Sequence, residues 1–286
     1  MDTTHKKVVE GVVSTTSITQ SLCILFSSSS LFAERSFLAC NLAVELARRG
    51  FSVGLIETNT TLPNTFFLLA ALFQESTALE SVSSLPEKSP PLSPPLPGFE
   101  PLKLNDISIG DGKKIKAVFC DKGFDSADSL STLNTLKKES HFIIINGPND
   151  ILEVKKAISC IHPFCIVPVT VNSEELLKSY SLIKQISEDM AYREIGLLIV
   201  EKRLYHKAEA AFNIIAEMAY KFLSSNICYM GVIPMRADFC RSILSLIPFP
   251  LEEKNSPLSQ SIKKLVDNVT KQYIYIKETS DGKAKL

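Results

Sequence analysis

Glycine is scarce, at 11 of 286 residues, about half of the usual ~7%. A turn that grips phosphate through its backbone amides needs glycine, and none occurs between Gly11 and Gly50, so the first strand–turn–helix carries no glycine-rich anion loop. Net charge is lacking too. Lys+Arg and Asp+Glu both number 31, which leaves no overall basic field for holding a nucleic-acid backbone and excludes nucleic acid as the expected partner. No apolar run approaches the ~20 residues of a membrane-spanning helix. An even cysteine set is missing: the seven (Cys23, Cys40, Cys120, Cys160, Cys165, Cys228 and Cys240) are spread through apolar stretches. They read as reduced core residues of a cytoplasmic protein rather than a disulfide framework.

What is present is a globular composition, 45% hydrophobic and 22% charged, which excludes general disorder. Near the N-terminus, Lys6 and Lys7 precede SLCILFSSSSLFA (21–33), the outline of a signal peptide. Glu10 and a Ser/Thr run interrupt it and a helical pattern follows, so LCILF reads as a buried strand.

Apolar strand-like runs recur at 22–26, 53–57, 115–120, 141–146, 164–169, 195–200 and 227–234, and most are continuous rather than alternating. Such runs suit parallel strands covered on both faces. Helical patterns fall between them at 34–49, 63–73, 126–138, 150–161, 173–190, 206–224, 238–246 and 256–272. The expected fold is therefore α/β: a doubly wound, mostly parallel sheet with helices on both faces, in one domain spanning 1–286. In the first helix, Phe37, Leu38, Leu42 and Leu46 form an apolar stripe, Arg48 and Arg49 complement the dipole, and Gly50 supplies the stop. Asn172-Ser173 ahead of Glu174 and Glu175 is another helix start. Residues 81–101 hold seven of the 15 prolines, which reads as an extended surface loop; its PxxP spacings also match grooves that take polyproline helices. The polar tail 277–286 is expected to fray.

Ligands of such sheets bind at the carboxyl ends of the strands, and a resemblance emerges there. Asn41-Leu42-Ala43-Val44-Glu45-Leu46-Ala47-Arg48-Arg49-Gly50, then VGLIE (53–57) and Leu62-Pro63-Asn64, is similar to the stretch after the deviant Walker A loop of the MinD/ParA family of P-loop NTPases, the SIMIBI class. HFIIINGP (141–148) resembles that family's D-Y-I-I-I-D-x-P strand, and VPVTVNSEELLKSYSLIKQI (167–186) its next strand and helix. YMGVIPMRADFCRSI (229–243) with PLSQSIKKLVDNV (257–269) resembles the carboxyl end of the flagellar-number regulators FleN and FlhG.

The resemblance implies a phosphate loop on Ser30 to Phe37, and it is degenerate. Leu31, Phe32 and Glu34 stand where the family has glycines, and Ser30 where it has the signature lysine that reaches across a dimer. Arg35 and Ser36 keep only the charge and hydroxyl types of the phosphate-gripping lysine and magnesium-binding threonine. The family's paired aspartates fall on Glu57 and Asn59, the aspartate that supports magnesium on Asn146, and the adenine-reading asparagine on Glu201. The expected protein is thus a pseudo-ATPase without cofactor, a regulatory or scaffold partner in bacterial spatial organisation such as flagellar or division-site placement, acting on a protein partner or as a homodimer. The alternatives are an ATP- and magnesium-binding dimeric switch using Arg35 and Ser36 as a vestigial phosphate site, and a membrane-surface adaptor. The last would use 259–273, where Ile262, Leu265, Val266, Val269 and Tyr273 share a helix face; the preferred reading packs that stripe on the sheet.

Other constellations read as structure. Cys160-x-His162-x-x-Cys165 has metal-like residue types but straddles a helix end, a turn and an apolar strand, and Cys120-Asp121 has no histidine near it in sequence. Both are taken as core thiols, with no metal site. None of the four histidines forms a recognisable triad.

Overall fold

A computed structural model describes residues 21–30, 32–58, 65, 102–109, 112–120, 124–189, 195–201, 205–235 and 256–280. Along the chain run β1 (Leu22–Phe26), α1 (Phe32–Arg48), β2 (Val53–Glu57), β3 (Asn105–Ser108), β4 (Lys114–Phe119), α2 (Ala127–Glu139), β5 (Phe142–Asn146), α3 (Ile151–Ile161), β6 (Phe164–Val169), α4 (Ser173–Asp189), β7 (Ile195–Glu201), α5 (Tyr205–Leu223), β8 (Ile227–Pro234) and α6 (Pro257–Ser280). The strands form one sheet in the order β3-β4-β2-β5-β1-β6-β7-β8. Every pairing is parallel except that of β3 with β4.

The continuous apolar runs lie in the middle of this sheet because both of its faces are covered. Alternate residues feed two cores: Ile24, Phe26, Leu55 and Ile144 pack with α1 and α6, while Cys23, Leu25, Ile56 and Ile145 pack with α2 to α5. Local signals in the sequence set the helix ends. Gly50 takes φ 92° just past α1, a conformation that a side chain would strain. The Asn172 carboxamide accepts from the amides of Glu174 and Glu175 at the start of α4, and Asp150 caps α3 through Leu152 and Glu153.

Three outcomes differ from the sequence reading or refine it. The short strand β3 has no counterpart in it: Asn105-Asp106-Ile107-Ser108 is polar and mostly exposed, an antiparallel edge without an apolar run. Helix α6 continues to Ser280, through residues expected to fray. The membrane-adaptor alternative loses its surface, since Ile262, Leu265, Val266 and Val269 are fully buried and Tyr273 nearly so. Burying each such side chain is favourable by about 1.5–3 kcal/mol, which peeling the helix onto a bilayer would first forfeit. Among the described residues no helix is long and apolar enough to cross a membrane. The Pro-rich 81–101 segment and helices 63–73 (Thr65 apart) and 238–246 lie outside the described residues.

Candidate functional site

The parallel register puts the carboxyl ends of β2, β5 and β1 side by side, with Glu57 opposite Asn146 and Asn146 opposite Phe26. Residue parity then aims their side chains. Leu55, Ile144 and Ile24 face α1, so Glu57 and Asn146, two residues further on, face the same helix. Helix α1 brings Arg35 and Ser36 in its first turns to meet them.

All four side chains are buried, Arg35, Glu57 and Asn146 completely. Arg35 Nε donates to Asn146 Oδ1 at 3.0 Å and Arg35 Nη2 to Asn149 Oδ1 at 2.7 Å. The Asn146 amide donates to Ser36 Oγ at 2.9 Å and to the two oxygens of Glu57 at 3.1 and 2.9 Å. Glu57 Oε2 also accepts from both the amide and the hydroxyl of Thr65, each at 2.7 Å. Burial lowers the Arg35 guanidinium to about 10, with Glu57 pulling the other way; the group is still a cation at neutral pH. Burial, then Glu57, pushes the neighbouring Cys40 thiol far above its ordinary range.

The loop between β1 and α1 is engaged inward. The Ser27 amide continues the ladder to Ile166 at 3.1 Å, while the hydroxyls of Ser27 and Ser28 are buried without a hydrogen-bond partner among the described residues. Ser30 donates to Glu175 on α4, and that hydroxyl, ahead of Lys178, holds the Glu175 carboxyl below its usual value. Gly147 lies so close to β1 that a Cβ there would sit 2.5 Å from the Phe26 carbonyl oxygen.

The sequence-derived positions therefore separate as follows. Arg35, Ser36, Glu57 and Asn146 come together in one network; Ser30 lies apart, in the turn before α1 and bonded to Glu175 of α4; Glu34 sits half-buried in the first turn of α1; Glu201 is buried at the end of β7; Asn59 is outside the described residues. Thr65 and Asn149 complete the network and were not singled out in the sequence; Glu175, read there only as part of a helix start, is the partner of Ser30. Asn149, just after the Gly147-Pro148 turn, carried the clearest available signal.

Elsewhere the metal-like trio is dispersed. Cys165 is buried within β6, Cys160 is half-buried, and His162 adopts φ 54° as the C-cap of α3. A cavity of about 250 Å³ opens at the opposite pole, by Gly50, Lys113, Lys114, Lys116 and Glu139. Its ammoniums are engaged: Lys113 on the Arg48 carbonyl, Lys114 with Asp106, Lys116 with Glu139.

Known structures share this arrangement of strands and helices. A MinD cell division protein of Aquifex aeolicus, also solved in complex with MinC, superposes with a TM-score of 0.61 at 16% identity, covering 87% of this chain and 97% of that one. The chain has the MinD/ParA-like P-loop fold. The septum site-determining protein MinD of Pyrococcus horikoshii, complexed with Mg-ADP, gives 0.57 at 14% identity over 93% and 100% of the two chains. ParA of pNOB8 gives 0.54 at 13% over 88% and 99%. No protein-family model matches the sequence, nor does any curated protein.

The fold thus raises magnesium nucleotide as a ligand, and the side chains can be tested for fit. Magnesium takes near-octahedral oxygens and is held through one or two carboxylates beside the phosphates. Here the carboxylate facing α1 is Glu57, already receiving donors from Thr65 and Asn146, with the Arg35 cation nearby. The Ser36 hydroxyl accepts from Asn146. A magnesium nucleotide would have to dismantle this network to bind, so the residues present do not fit it.

Proposed function

We propose that the protein is a non-catalytic member of the MinD/ParA-like fold, closest in kind to FleN and FlhG. It would serve as a regulatory or scaffold partner in bacterial spatial organisation, such as flagellar or division-site placement, through contact with a protein partner or a second copy. The observation that carries this reading is the buried guanidinium of Arg35, joined to Asn146 and Asn149 beside the Glu57 carboxylate. Transition-state stabilisation in phosphoryl transfer needs phosphates and a metal in open reach of lysine, hydroxyl and carboxylate, and here Arg35, Ser36 and Glu57 are each bonded to the buried Asn146 side chain. The altered loop adds to this: glycines are replaced by Leu31, Phe32 and Glu34, and Ser30 occupies the place of the lysine that reaches across a dimer.

Isothermal titration with magnesium ATP, run beside a phosphate-release assay, tests the proposal. The expected result is no saturable heat and no turnover. Micromolar binding with turnover abolished by Arg35→Ala would overturn it. The second reading, a nucleotide-binding switch, is favoured by the hydroxyls of Ser27 and Ser28, which are buried beside the site without a partner among the described residues, and the same titration separates the two.

A further inference from the structure

Three parts of the chain meet around Arg35 at the carboxyl end of the sheet: the first turns of α1, Thr58 and Thr65 beyond β2, and Asn149 beyond β5. Side chains tie each to the others. Arg35 reaches Asn149 and Asn146; Asn146 reaches Ser36 and Glu57; Glu57 holds Thr65 by two bonds. Thr58 adds a hydroxyl bond of 2.7 Å to the Asn146 carbonyl. In a ligand-dependent site, a bound cation or phosphate would make such links, and they would come and go with it. A guanidinium is part of the chain, always charged and able to bond in several directions at once.

We infer that Arg35 is a built-in cation that locks Thr65 beyond β2 and Asn149 beyond β5 to the start of α1 in a single arrangement, independent of nucleotide. These residues then hold one arrangement, where a ligand-switched protein would alternate between two. This rests on the non-catalytic reading above and deepens it. A buried arginine that merely fills space would show no coupling between Asn149 and Thr65, which lie 84 residues apart in the chain and are linked through Arg35, Asn146 and Glu57. A lock predicts that coupling.

The test is amide hydrogen exchange on the full-length chain, reading the Thr65 amide, which donates to Glu57, and the Gly147 amide, which donates to Phe26. Asn149→Ala removes one bond from a surface residue and leaves the core intact. It is expected to speed exchange at Thr65 about tenfold, the scale of one hydrogen bond to a charged group. Arg35→Gln is expected to do more, with amides of β7 unchanged in both variants; should Arg35→Gln fail to fold, the Asn149→Ala arm decides. Magnesium AMPPNP is expected to leave both amides of the wild type unaltered. Acceleration confined to residues around 149, or slowing of Thr65 exchange by the nucleotide, overturns the lock. The two proposals fail separately: nucleotide bound in calorimetry with Thr65 and Asn149 still coupled and exchange unaltered refutes the non-catalytic reading alone, while purely local acceleration without nucleotide binding refutes the lock alone.

Discussion

Asn146→Asp exchanges one NH2 for one oxygen and so changes the charge of the network with almost no change in shape. In the native protein the Asn146 amide donates to Glu57 and Ser36 while its oxygen accepts from Arg35. The introduced carboxylate would face Glu57 across about 3 Å, a repulsion of roughly 5 kcal/mol at an effective dielectric constant near 20. Its attraction to Arg35 Nε, at a similar separation, is of the same size, so the two Coulomb contributions cancel to first order. What remains is the loss of the donated bonds and the desolvation of a second charge at a fully buried position, together about 2–4 kcal/mol. For a chain of this length that is a fall in Tm of roughly 3–7 °C. The sign with pH follows from which form burial beside Glu57 disfavours. The introduced carboxyl would have a folded pKa above its unfolded value of ~3.9. Its penalty is therefore absent below about pH 4, grows as pH rises through the folded pKa, and is complete above it. Thermal melts of variant and wild type from pH 5 to pH 8 should show the gap between them widening towards pH 8. A variant as stable as the wild type at pH 8, or a gap that narrows with rising pH, would refute the account of Glu57, Asn146 and Arg35 as one closed network.

Two further outcomes follow from the packing. Gly147→Ala places a Cβ 2.5 Å from the Phe26 oxygen and 2.8 Å from Leu25 Cδ1, forcing β1 and the start of the following loop apart. The urea midpoint should fall by an amount worth about 2–3 kcal/mol at unchanged slope, and an unmoved midpoint would show that the close approach is absent in solution. In alkylation of the native protein at pH 8, Cys160 and Cys228, both half-buried, should be modified first. Cys40 should stay unmodified until unfolding, because burial both shields its thiol and raises its pKa; peptide mass mapping that finds Cys40 alkylated as fast as Cys160 would count against its position in the core.

The fold was legible in the sequence wherever burial on both faces forces a continuous apolar run. FIIIN, FCIVPV and IGLLIV can lie nowhere else in a soluble α/β protein, and each proved to be an inner strand. Strand β3 was not legible because an edge strand needs to bury only one residue, Ile107, and its other side chains are free to be polar. The site was legible residue by residue but not as a structure. Comparison along the chain could name Arg35, Ser36, Glu57 and Asn146, and treat Arg35 and Ser36 as remnants of a phosphate grip. Whether those side chains point outward to a ligand or inward to one another depends on the register of β2 against β5 and on the turn of α1, separations of 89 and 111 residues in the chain. The register decides for the inward arrangement: Glu57 and Asn146 are neighbours on the α1 face, and the Asn146 amide is a donor that the Glu57 carboxylate uses while its oxygen accepts from Arg35. Each member of the network thus supplies what its neighbour needs, and replacing any one of them leaves a buried polar partner unsatisfied.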